Sequence, residues 1–135
     1  MFTAELRTFI NKVINNKRIT AEDVRYLTSN ILADGIGSRQ EADALLALDR
    51  TLDTDPSWAE FLTAVMVDYV VWGSRPTGRV PAEKAAWLVT TFICGEPTGH
   101  AVRIARAIVA EAQEVDPELL LFARWGTPAY TSLAA

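Results

Sequence analysis

Four oxygen-bearing residues lie in one stretch at spacings suited to ion chemistry. Counting Gly35 as the sixth position of a twelve-residue calcium loop places Asn30 first, Asp34 fifth, Ser38 ninth and Glu41 twelfth, all ligand positions in an EF-hand. Leu32 stands third and cannot ligate. Two carboxylates remain, so a hard divalent ion such as calcium would be held weakly there. The same residues also form a structural set: Gly35 ends one helix, Ser38 caps the next, and Glu41 completes a capping box. Capping is the expected role. A weak divalent-cation loop on Asp34, Glu41, Asn30 and Ser38 is the alternative, and no other cofactor is expected.

Elsewhere the reactive residue types stand apart from one another. His100 has no second His, Cys or paired carboxylate in helical register with it, so a surface or capping histidine is expected rather than a general base. Cys94 has no histidine partner and reads as a small buried filler. Arg75 and Arg79 could grip an anion, but solvated loop arginines are the default expectation. Trp72 and Trp125 each precede a glycine at a helix end, where an exposed ring can serve a partner. No catalytic residues are assigned.

Composition narrows the function classes. The 135 residues carry 13 Lys+Arg against 17 Asp+Glu, and this net charge of -4 argues against a phosphate backbone as partner. One Cys excludes an internal disulfide, and with one His it excludes a soft-ligand metal site. The most apolar stretch, Trp58 to Trp72, is broken by Glu60 and Asp68 and is too short to span a bilayer. Glu5 and Arg7 precede any apolar run, so no secretory leader is expected and the location expected is cytoplasmic.

The elements that must position these residues read as helices. Leu6, Phe9, Ile10, Val13 and Ile14 give the first helix one apolar face. Thr20 is placed to cap a second through the Asp23 amide, with Val24, Leu27, Ile31 and Leu32 as its stripe and Gly35 as its stop. Ser38 opens a third helix, with Leu45, Leu46, Leu48 and Leu52 on its apolar side. Asp55-Pro56 opens a fourth that runs on through Trp72. No period-two run flanked by hairpin turns occurs, so no sheet is expected.

The second half repeats the first at an offset of 61: Ile19-Thr20-Ala21-Glu22 matches Val80-Pro81-Ala82-Glu83, Tyr26-Leu27 matches Trp87-Leu88, and Asp55-Pro56 matches Asp116-Pro117. This predicts one all-α domain over 1–135, a six- to seven-helix bundle of two tandem three-helix repeats, about 5–72 and about 66–133. Tyr26 and Trp87 should then occupy equivalent places.

Ala33-Asp34-Gly35 followed by Ser38 and Glu41 resembles the A-D-G-x-x-S-x-x-E signature of the tellurite-resistance TerB-like helical proteins. The duplicated helical layout is also similar to that family. The resemblance implies a bacterial, compact, all-helical bundle with a divalent-ion site on acidic residues. Together these readings point to a non-catalytic helical interaction module with a protein partner. The alternative is a small-molecule-binding protein or enzyme with a pocket between the repeats, where Tyr26, Tyr69, Trp87 and His100 would converge.

Overall fold

The computed structural model describes residues 4–73, 75–93 and 100–125. Among them are seven α-helices and four strands of two residues each. None of these helices is long and apolar enough to cross a membrane. The chain divides into two compact units, Met1–Val65 and Met66–Ala135.

In the first unit, α1 (Ala4–Asn16) buries Leu6, Phe9 and Val13 at the expected three-four spacing. Ile14 falls past the edge of that stripe and is 50 % exposed. The helix stops at Lys17, whose φ of 62° lies in the left-handed region, and β1 (Arg18–Ile19) follows. Thr20 caps α2 (Ala21–Tyr26) as its hydroxyl suggested. Its Oγ1 accepts the Asp23 N–H at 3.2 Å, and the Asp23 carboxylate accepts the Thr20 N–H at 3.0 Å, so the box is reciprocal. Lys12 Nζ also donates to that carboxylate, at 3.3 Å.

Burial pushes the Asp23 carboxyl upward, but the Thr20 amide and hydroxyl and the Lys12 ammonium outweigh it, and the group is held below the ordinary carboxylate range. A carboxyl depressed in the folded state stabilises the fold above its unfolded value, near 4, and that contribution is lost as pH falls through the folded value. Chemical denaturation between pH 7 and pH 2 should therefore show an acid-side loss of stability that is smaller in Asp23→Asn. An unchanged acid limb in the variant would contradict this.

α2 does not run straight to Gly35 as its apolar stripe implied. It widens at Leu27–Ile31 into a π-helical turn, closed by the Leu32 N–H donating to the Leu27 carbonyl at 2.7 Å. One extra residue per turn brings Leu27 and Leu32, five apart, to the same buried side, while Ile31 is only half-buried. Gly35 then takes the left-handed conformation expected of it, with φ 86°. α3 (Arg39–Thr51) starts at Ser38 and buries Leu45, Leu46 and Leu48.

β2 (Asp53–Thr54) pairs with β1 in parallel, Arg18 opposite Asp53 and Ile19 opposite Thr54. Asp55 then opens α4 (Pro56–Val67). Its Oδ2 accepts from the Ser57 hydroxyl at 2.6 Å and from the Ser57 N–H at 2.9 Å, and these two bonds hold its carboxyl below the usual range.

In the second unit a π-helical turn, Asp68–Trp72, continues α4. β3 (Arg79–Val80) leads into α5 (Ala82–Phe92), α6 (Ala101–Glu111) leads into β4 (Glu114–Val115), and α7 (Pro117–Trp125) follows. β3 and β4 are again parallel, with Arg79 opposite Glu114 and Val80 opposite Val115. α7 packs against both α5 and α6, and Phe92 stacks on Phe122 with ring centroids 5.4 Å apart.

The fold class is therefore all-helical as expected, apart from the two minute ladders. They overturn the expectation of no sheet. A strand of two residues is too short to show alternation, and each ladder is specified by the helix starts that flank it rather than by its own pattern.

Candidate functional site

The polar residues singled out in the sequence are mostly engaged in closing helix ends. Ser38 Oγ accepts the Glu41 N–H at 3.2 Å, and the Glu41 carboxylate reaches back to accept the Gly37 N–H at 2.7 Å, one residue before the cap. Glu41 is buried, at 7 % exposure. A Cβ on Gly37 would lie 3.3 Å from the Glu41 Oε1, so the absence of a side chain there lets the carboxylate close in. The Asn30 amide donates to the Tyr26 carbonyl at 3.3 Å, and Asp34 is exposed. Among the described residues no three His, Cys, Asp or Glu side chains gather as a metal-binding group.

With Ser38 acting as a cap, Ser38→Ala should lower stability by about 1 kcal/mol. Glu41→Gln should leave it nearly unchanged, since glutamine also serves in this role. Thermal melts with and without millimolar calcium check both, and the capping role requires the same losses in each.

His100 is half-buried and occupies the position before α6. Cys94, Gly95 and Thr98 lie outside the described residues, as does the side chain of Trp125. The structure brings Tyr69 and Trp87 together edge to face, with centroids 6.3 Å apart and planes at 81°. Tyr26 and Trp87, expected in equivalent places, differ: Trp87 is half-buried, whereas Tyr26 is 52 % exposed. Residues six positions beyond a helix start share a register, but what covers them is settled by tertiary packing.

Tyr26 forms the wall of an open groove of about 360 Å³ in the first unit, lined also by Ala4, Glu5, Thr8, Phe9 and Lys12. Its surface is mostly carbon. Two further hollows sit where the ladders feed their helices. One, of about 320 Å³, is lined by Arg18 to Thr20 and Asp53 to Pro56. The other, of about 370 Å³, is lined by Pro76, by Arg79 to Ala82 and by Glu114 to Asp116. In the second, Arg79 Nε lies 3.2 Å from Glu114 Oε2. Trp72 is exposed as expected, at 44 %, and its indole N–H donates to Glu111 at 3.2 Å.

Two further polar side chains, Asp49 and Lys84, are buried. Trp58 Nε1 donates to Asp49 Oδ1 at 3.0 Å inside the first unit. Lys84, 2 % exposed, donates to three carbonyls: Val70 at 2.9 Å, Pro76 at 2.9 Å and Arg79 at 3.1 Å. A signal for Lys84 was present, because it stands four residues before Leu88 and eight before Phe92, on the stripe that α5 buries.

Compared with known protein families, with curated proteins and with solved structures, the chain matches none.

Proposed function

We propose that this chain is a non-catalytic, TerB-like helical interaction module, built from two tandem copies of one ladder-and-helix unit, that holds a protein partner in the Tyr26 groove. The carrying observation is Tyr26 itself, a large aromatic 52 % exposed beside Phe9 in an open groove on α1. Stranded aromatic surface of this kind marks binding sites more than it marks catalysis. The Lys12 charge is met by Asp23 at 3.3 Å, so the charge the rim offers a partner is that of Glu5. The complementary ligand is a peptide segment with an apolar side chain next to a lysine or arginine.

The tandem reading is supported by pairs of features offset by 61. Arg18 opposite Asp53 corresponds to Arg79 opposite Glu114. The Asp55 N–H donates to Ile19 O at 2.9 Å, and the Asp116 N–H donates to Val80 O at 2.7 Å. Left-handed residues, Lys17 at φ 62° and Gly78 at φ 77°, precede β1 and β3. The TerB-like reading draws support from the left-handed Gly35 and the Ser38 cap inside the motif. A weak cation loop on Asn30, Asp34, Ser38 and Glu41 would have to share Ser38 and Glu41 with the caps they already make.

Selection of a displayed random-peptide library on the purified chain tests the groove. Enriched peptides should pair an apolar residue with Lys or Arg, and should lose binding to Tyr26→Ser and to Glu5→Lys. No enrichment, or peptides indifferent to both substitutions, would overturn the proposal.

A further inference from the structure

The ammonium of Lys84 is removed from water and donates to the carbonyls of Val70, Pro76 and Arg79. Burying a charge is unfavourable unless it is fully satisfied. Two of these carbonyls belong to the Arg75–Arg79 loop, so a buried positive charge clamps that loop from beneath. Gly78 ties it from the side: its N–H donates to the Val71 carbonyl at 2.6 Å, and its own carbonyl accepts the Gln113 N–H at 2.7 Å. The φ of 77° at Gly78 is one that other residues rarely adopt.

This fixed loop presents Arg75, Thr77 and Arg79, all exposed, and together with Pro76 and Gln113 they line one open depression of about 850 Å³. Two guanidinium forks, a hydroxyl and a carboxamide on a rigid support form the donor set that oxyanions take. Arg79 holds Glu114 at 3.2 Å, but both side chains are largely exposed, at 62 % and 71 %. Such surface pairs exchange readily, and one guanidinium has donors enough for a carboxylate and a second oxyanion.

We propose that the Arg75–Arg79 loop, with Gln113, is a binding site for an oxyanion, the phosphate or carboxylate group of a small ligand. It is separate from the Tyr26 groove and does not depend on it. The test is an amide and arginine-Nε NMR titration of the full chain with sodium phosphate and, separately, with sodium succinate, at ionic strength fixed with chloride. Saturating shifts at Thr77, Gly78, Gln113 and the Arg75 and Arg79 Nε groups are expected with at least one of the two anions. Saturation by phosphate alone, by succinate alone or by both supports the site and assigns its source. Arg75→Gln and Arg79→Gln, both at exposed positions, should each weaken binding about ten-fold. Linear drift with both anions, or saturation that persists in the double variant, would overturn the site.

Discussion

Replacing Trp58 with alanine should cost about 3–5 kcal/mol of folding stability. Its side chain is fully buried, so truncation removes an entire ring system from the core of the first unit and opens a cavity. The hydrogen bond adds a second, separable loss. Trp58→Phe keeps most of the apolar volume but takes the indole donor from the buried Asp49 carboxylate, 3.0 Å away. That change should cost about 1–3 kcal/mol. Urea denaturation monitored by far-UV circular dichroism measures both. If Trp58→Phe were as damaging as Trp58→Ala, volume would not be the main contribution, and a loss below about 1 kcal/mol for alanine would show a core able to collapse around the gap.

Lys84→Met should be comparably severe, at about 3 kcal/mol, even though methionine keeps the length and the apolar stem. The carbonyls of Val70, Pro76 and Arg79 would each lose a charge-assisted donor, and bonds to a charged group are worth more than neutral ones. Lys84→Arg should not restore the loss, because a planar fork cannot direct its N–H groups at three carbonyls arranged around an ammonium. Full recovery with arginine would mean that charge alone, not the direction of the three bonds, holds the turn. Denaturant midpoints for the two variants separate these outcomes.

How far the sequence disclosed this arrangement depended on the range of the interaction. Helix starts were readable because a cap is a local device: Thr20, Ser38 and Asp55 each accept from an amide two or three residues ahead. The π-helical turns at Leu27–Ile31 and Asp68–Trp72 were not readable, since a five-residue closure has no residue signature of its own. Asp49 and Lys84 interrupt apolar stripes and could have been flagged as buried. Their partners, nine residues on for Asp49 and as far as fourteen back for Lys84, follow from the packed backbone only. Tyr26 shows the same limit from outside: its register was plain, but its exposure depended on what α1 leaves uncovered.

The short ladders also bear on the kinetics of folding. Helices condense from neighbours in sequence, and a chain made only of helices closes small loops quickly. Here residue 18 must find residue 53, and residue 79 must find residue 114. A closure of that span carries an entropic cost of about 3 kcal/mol before a single ladder bond rewards it. Each unit is therefore a helical assembly whose completion waits on a distant encounter, and its speed of folding should resemble that of a mixed α/β domain more than that of a simple bundle.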